Sequence, residues 1–343
     1  MEATIVKDIL LFGAENKASD VHFSSNQQPI LRIMGELKKA DIPPIPHDFL
    51  FDQLMGFLND AQKKRFHEFH EIDLALSLEG IARFRVNFYE HFGGIAGAFR
   101  IFPNSIRSLD DLLMPLVLKK MVAQKKGLIL VTGPAGSGKS TTLAAMIHEI
   151  NTKKRQHIVT IEDPVEYIHE SAESLVHQRE VGINTSNYSK ALVNALREDP
   201  DIILVGEMRD LETMTYALRA AETGQLVFST LHTNSAAESV DRIVNVFPAE
   251  QHQQVRVLLA NTLIGIVSQR LLPMAFAQDR IALMEILLGT PAVKNLIREG
   301  KSYQLTSAIQ TGSDLGMQTF ERAFDKMKKN NQISPKLLLS DYV

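Results

Sequence analysis

Eight consecutive residues constrain this chain more than any other stretch: Gly133-Pro-Ala-Gly-Ser-Gly138-Lys139-Ser140. They fit the phosphate-loop pattern G-x-x-x-x-G-K-[ST]. Their context fits too. Leu128–Val131 is an apolar run before the loop and reads as a strand. Thr141–Ile150 follows and reads as a helix, with Leu143, Met146, Ile147 and Ile150 on its inward face. Glycines here let backbone N–H groups curl around phosphate oxygens, and the helix N-terminus adds its partial positive charge. A lysine at position 139 brings a point charge to the β- and γ-phosphates, and the Ser140 hydroxyl suits Mg²⁺. The motif therefore predicts that Gly133, Pro134, Ala135, Gly136, Ser137, Gly138, Lys139, Ser140 and Thr141 bind ATP with Mg²⁺.

The flanking pattern is that of an α/β protein. Short apolar runs at Gly127–Val131, His157–Ile161, Asp201–Val205 and Gln225–Thr230 alternate with helical stretches. Such runs indicate a mostly parallel sheet covered on both faces. The region before about Ile106 reads differently. Residues 4–12 place Ile5, Ile9 and Phe12 on one helical face. Ser19–Phe23 and Pro29–Ile33 read as short strands. Pro43, Pro44 and Pro46 break the pattern before a helix with Phe51, Leu54, Met55 and Leu58 on one face. Ile72, Leu74, Leu76 and Leu78 alternate with polar or small residues, and Phe84, Val86 and Phe88 alternate with Arg83, Arg85 and Asn87. A Gly93-Gly94 turn leads to a third strand ending near Phe102. This is a small α+β module with an antiparallel sheet. Residues 103–112 read as a linker entering a helix, with Ser108 as N-cap and Asp110 and Asp111 in the first turn. The part from Pro291 is helical, with apolar stripes at Val293, Leu296, Ile297 and at Met317, Phe320, Phe324, Met327. The expected divisions are 1–105, a linker at 106–112, 113–289 and 290–343.

Charge and composition exclude several classes. Lys plus Arg is 37 against 40 Asp plus Glu, so the formal charge is −3. A chain so balanced is no bulk nucleic-acid neutraliser, and no basic-aromatic stripe marks it as a translocase. It has no cysteine, which removes disulfides, thiolate catalysis and cysteine-ligated zinc. No apolar run approaches the about 18 residues of a membrane span, and the first residues lack a signal-peptide core. The expectation is a cytoplasmic protein that a partner must hold if it works at a membrane.

Carboxylates and a histidine gather at predicted strand ends, the edge where open α/β sheets bind ligands. Thr160-Ile-Glu162-Asp163-Pro-Val-Glu166-Tyr167 follows one strand. Asp201–Val205 runs into Gly206-Glu207, with Gly206 where a Walker B strand usually has Asp, so Glu207 alone is left to serve the metal or its water shell. Read singly, a carboxylate at a strand end could also merely cap a helix. Ser229-Thr-Leu-His232-Thr ends another strand. A neutral imidazole there could sense a γ-phosphate or bond a catalytic carboxylate, or be a satisfied structural side chain.

These segments, in this order, resemble the type IV pilus and type II secretion ATPase family. The match runs from Ser19-Asp20 and Ala82–Asn87 through the P-loop and the acidic box. It continues through Gly206–Thr213, Ala220–Thr233, Asp241–Pro248 and Gln269-Arg-Leu-Leu-Pro273. Ala292–Glu299, Ser307–Gly312 and Gly316–Thr319 look most like its pilus-retraction branch. The resemblance implies a homohexamer of subunits, each with a PAS-like N-terminal and a RecA-like C-terminal domain. It implies Glu166 as the base that orients the attacking water, Glu207 holding Mg²⁺ with Ser140, and His232 as the histidine of a His box. It implies that Arg83, Arg85 and Arg100 reach phosphates; read alone, Arg83 and Arg85 are equally a solvated charged face. One departure stands out. The family's box usually opens with Gly-His, whereas here the position is Gln225, which can hydrogen-bond but cannot become cationic. The resemblance implies a motor that drives an inner-membrane platform protein, so that pilin leaves the fibre. It docks at the membrane without inserting into it. The competing readings are an assembly or secretion ATPase, an accessory retraction motor, and a nucleotide-gated interaction module. The absent cysteines argue against the first, whose members commonly carry a tetracysteine zinc module.

Overall fold

In a computed structural model the chain forms two compact units. The structure describes residues 5–102, 105–277 and 279–343. Residues 1–4, positions 103 and 104 at the start of the stretch read as a linker, and position 278 lie outside the described residues. The mixed α/β architecture expected from the sequence is present.

The smaller unit comprises residues 1–105 together with 164–168. Its elements are α1 (Ile5–Glu15), β1 (Asp20–Ser24), β2 (Ile30–Ile33), β3 (Glu36–Lys39), α2 (His47–Met55), α3 (Asp60–Phe69), β4 (Glu71–Leu78), β5 (Ala82–His91) and β6 (Gly94–Phe102). The strands form one antiparallel sheet in the order β3-β2-β1-β6-β5-β4. Strand alternation sends Val21, Phe23, Phe84, Val86, Phe88 and Phe99 to one buried face. Phe99 centres it: its ring lies 5.4–6.1 Å from those of Phe23, Phe57, Phe84 and Phe88. The opposite face carries a row in register across four strands: Arg32, Asp20, Arg100 and Arg85.

Two details differ from expectation. In α1 the buried residues are Val6, Ile9, Leu10 and Gly13, and Phe12 is exposed. Gly13 explains the rotation, because a Cβ there would come within 2.8 Å of Val21; the close approach at Gly13 turns Phe12 outward. The helix α3 is not visible as an apolar pattern, since Phe66 alone is buried in it. A capping box starts it: Asn59 Oδ1 accepts from Gln62 N at 2.9 Å, and Gln62 Oε1 accepts from Asn59 N at 3.0 Å.

The larger unit comprises residues 106–163 and 169–343. It contains α4 (Val117–Val122), β7 (Gly127–Thr132), α5 (Lys139–Asn151), β8 (His157–Glu162), β9 (Leu175–Glu180), α6 (Tyr188–Ala195), β10 (Ile202–Val205), α7 (Leu211–Thr223) and β11 (Leu226–Leu231). It continues with α8 (Ala236–Val246), α9 (His252–Thr262), β12 (Leu263–Pro273), β13 (Arg280–Leu288), α10 (Pro291–Arg298), α11 (Leu305–Thr311) and α12 (Phe320–Lys329). The sheet order is β13-β12-β7-β11-β10-β8-β9, parallel except at β13. Alternation splits its core in two. Leu128 and Leu130 pack with residues of α6 to α11, whereas Ile129 and Val131 pack with α4 and α5. Both faces are covered, as continuous apolar strands require. The α10 and α12 stripes are buried at Val293, Ile297, Met317, Phe320 and Phe324.

Ser108 caps a turn, not a helix. Its hydroxyl accepts from Asp111 N at 3.1 Å, but the next helix begins only at Val117, after Pro115. Strands β9, β12 and β13 add to the expected four. β9 alternates polar residues at a sheet edge, and Ser268-Gln269-Arg270 interrupts the apolar run of β12. No helix among the described residues is long and apolar enough to cross a membrane.

Candidate functional site

The phosphate loop sits where its motif requires. β7 stops at Thr132, and the chain turns through Gly133 and Gly138 at φ of 145° and 88° into α5. Both angles lie where L side chains rarely go. Gly138 is the N-cap of α5 and offers no side-chain oxygen to the first backbone N–H groups of the helix. Lys139 is buried, and its Nζ donates to the carbonyls of Gly133 and Pro134, both at 2.9 Å. Ser137 Oγ is buried and has no hydrogen-bond partner among the described residues. Pro134, Ala135 and Gly136 form the exposed tip, while Ser140 and Thr141 are half-buried on the first turn of α5. An orphan hydroxyl, a buried ammonium and an uncapped helix start fit a polyphosphate.

A cavity of about 160 Å³ adjoins the loop at Gly138 and Thr141. Leu112, Leu271 and Ile281 give it apolar walls. Arg107 and Asp279, which also line it, are joined by an ion pair at 2.8 Å.

The neighbouring strand ends hold the acidic groups. Ser229 Oγ donates to Val205 O at 2.7 Å and Thr230 Oγ1 to Gly206 O at 2.6 Å, which ties β11 to the end of β10. That juxtaposition brings together Glu207 and His232, with Nε2 of the imidazole 3.4 Å from Oε1. Oε2 of Glu207 pairs with Arg209 at 2.7 Å. Glu162 accepts from Thr160 Oγ1 at 2.6 Å and from Gln178 Nε2 at 3.2 Å. The Tyr188 phenol is half-buried close to this group; burial, then the charges of Asp163, Glu162 and Glu207, push its pKa well up. Glu285 is buried and accepts from Ala236 N at 2.9 Å, which fixes the start of α8 just after His232. Burial raises its pKa.

Other expected site residues belong to the smaller unit. Glu166 belongs to the 164–168 segment of the smaller unit and is half-buried. Arg83 Nε donates to Val165 O at 2.6 Å beside it, and Arg83 NH1 donates to Ser77 Oγ at 2.8 Å. Arg100 pairs with Asp20 at 3.0 Å, and Arg85 is exposed across the strand pair from it. Gln225 accepts from Thr223 Oγ1 at 2.9 Å at the start of β11. The full length of that strand, roughly 20 Å at 3.3 Å per residue, separates it from His232 within one subunit.

Arg209 and Tyr188 escape sequence reasoning. Arg209 had a local signal, two residues past Glu207. Tyr188 reaches the acidic groups only through tertiary packing.

The chain matches the family model described as type II/IV secretion system protein over residues 3–299. It is 48% identical over 329 residues to the type IV pilus retraction ATPase PilT of Pseudomonas aeruginosa, covering 96% of this chain and 95% of that protein. It is 46% identical over 307 residues to the twitching motility protein of Neisseria gonorrhoeae, covering 90% and 82%. The crystal structure of the pilus retraction motor PilT with bound ADP superposes with a TM-score of 0.87 at 42% identity, covering 98% and 95%.

Proposed function

The chain belongs to the type II/IV secretion system protein family, and from that premise we propose that it is an ATP-hydrolysing motor for type IV pilus retraction, the process behind twitching motility. One observation carries the enzymatic part. The P-loop joins β7 to an uncapped α5 while Glu207 and His232 meet at the adjoining strand ends. The pilus part rests on near-complete coverage, in both directions, of a retraction ATPase.

In this reading the larger unit is RecA-like and the smaller PAS-like, with the divisions 1–105, 106–112, 113–289 and 290–343. Six copies form a ring. Residues Gly133 to Thr141 bind the nucleotide phosphates, and the cavity beside Thr141 receives the rest of the nucleotide. Mg²⁺, when bound, neutralises charge between the phosphates. Ser140 and Glu207 are hard oxygen donors suited to it. Lys139 leaves the Gly133 and Pro134 carbonyls for the phosphates. Glu166 orients the attacking water and accepts its proton. His232 holds the Glu207 carboxylate and senses the phosphate end. Arg83, Arg85 and Arg100 supply positive charge to the phosphates as ring subunits close. The motor docks from the cytoplasm on an inner-membrane platform protein and does not enter lipid.

Two measurements test this. Lys139→Ala should abolish ATP turnover, and turnover at the wild-type rate refutes the site. Deleting the gene should leave cells with surplus surface pili and no twitching. Bare cells would show that the motor assembles pili instead.

A further inference from the structure

One buried amide beside the phosphate loop has no part in the mechanism so far. Gln269 is 1% exposed and sits on β12. β12 runs parallel to β7 with Ser268 opposite Thr132, and their hydroxyls are 2.9 Å apart. There β7 ends, because Gly133 turns the chain away, while β12 continues to Pro273. Gln269 is thus the first residue of β12 that lies alongside the loop instead of alongside a strand.

Both ends of its amide are used, one by the loop and one by the helix that follows it. Nε2 donates to Ser137 O at 2.6 Å. Oε1 accepts from Thr142 Oγ1 of α5 at 2.8 Å. The pair of bonds fixes the amide's orientation, since reversal would set its oxygen against the Ser137 carbonyl. The backbone is held as well: Arg270 NH1 donates to Gln269 O at 3.0 Å. The glycines of the motif close over this residue. A Cβ on Gly133 would stand 2.5 Å from Gln269 O, and one on Gly138 would stand 2.8 Å from Gln269 Nε2.

We propose that Gln269 is a positioning residue for the nucleotide: it splints the descending half of the phosphate loop to α5, so that Ser137, Lys139 and the first turn present one fixed cradle. It acts through Ser137 and Thr142. The proposal rests on the nucleotide-binding reading above. A loop whose Ser137 carbonyl is left buried and unpaired either strains or recruits water, and both outcomes spread the cradle's geometry.

The test uses the full-length protein and titration with a fluorescent ADP analogue, alongside thermal unfolding without nucleotide. Lys139→Ala serves as the control for the nucleotide reading. If it binds like wild type, that reading fails whatever Gln269 does. Gln269→Leu should bind about tenfold to a hundredfold more weakly, with KM for ATP rising by more than kcat falls. Thr142→Val should also weaken binding, and Thr142→Ser should restore it. In the double variant Gln269→Leu/Thr142→Val, the second change should add little, because its partner is already gone. Wild-type affinity in Gln269→Leu, or penalties that simply multiply in the double variant, overturns the proposal. If Gln269→Leu does not fold, the Thr142 pair decides: unchanged binding in Thr142→Val overturns it, and loss rescued by Thr142→Ser supports it.

Discussion

His169 makes this protein's stability depend on pH in a way that one substitution can remove. The chain re-enters the larger unit at His169 after the segment that carries Glu166. The side chain is 8% exposed, and its Nδ1 has no partner among the described residues. Burial, with a smaller contribution from the nearby His148, lowers its pKa from 6.5 to about 4. Folding therefore requires the neutral imidazole, whereas the unfolded chain takes up a proton below 6.5. The associated stability is complete above that value and is lost as pH falls toward about 4. At 1.36 kcal/mol per unit the whole span is worth about 3 kcal/mol, and about 2 kcal/mol of it is gone by about pH 5. For a unit of this size that corresponds to a fall of about 4–8 °C in Tm. The assay is thermal unfolding of wild type and His169→Leu at about pH 7.5 and about pH 5, with other acidic effects cancelling in the comparison. Wild type should lose about 4–8 °C more than the variant. Parallel pH dependences in the two proteins would refute the reasoning. The His169 backbone N donates to Gln178 Oε1 at 2.7 Å, and Gln178 Nε2 donates to Glu162 at 3.2 Å.

Three further outcomes are expected. Gly133→Ala forces a Cβ to within 2.5 Å of Gln269 O at a φ of 145°, so nucleotide binding should fall by about a hundredfold or more; binding within a few-fold of wild type would contradict the close approach. Glu166→Gln should bind ATP normally and hydrolyse it about a hundredfold more slowly, read by phosphate release; weak binding with normal turnover would show that Glu166 is no base. Asn59→Ala removes the cap of α3 and should cost about 1 kcal/mol in urea unfolding, with ATP turnover per folded molecule unchanged.

The parts legible in the sequence are those whose physics is local. The P-loop declares itself because a tight anion cradle needs glycine at fixed spacing. β7, β8, β10 and β11 declare themselves because strands buried on both faces must be apolar throughout. What stayed hidden depends on partners far away in the chain. Gln269 reads as a polar break in a strand until Ser137 and Thr142 are seen beside it. The face of α1 is decided by Gly13 meeting Val21, and a helical wheel cannot register a missing Cβ. α3 hides because a capping box starts it and one phenylalanine anchors it, leaving no apolar stripe to find. Ser108 shows the converse error: a good capping sequence starts a helix only where the following residues can continue it, and Pro115 comes before the next one.

The glycine that replaces the usual Walker B aspartate has a physical reason in this chain. A Cβ on Gly206 would lie 3.1 Å from Tyr188 Oη, 3.3 Å from Ile161 O and 3.4 Å from Glu162 Cα. Any side chain at 206 would thus require the phenol or the edge of β8 to give by a few tenths of an ångström. The hydroxyl beside that Cβ has its pKa pushed up by burial and by Asp163, Glu162 and Glu207. Such a phenol keeps its proton and can only donate toward a carboxylate. A second carboxylate at position 206 would also crowd like charge against Glu162 and Glu207 in a partly buried site. The carboxylate at the end of β10 is that of Glu207, where Arg209 and His232 face its two oxygens. Glycine at 206 and tyrosine at 188 form one packing solution, and a change at either position must be read together with the other.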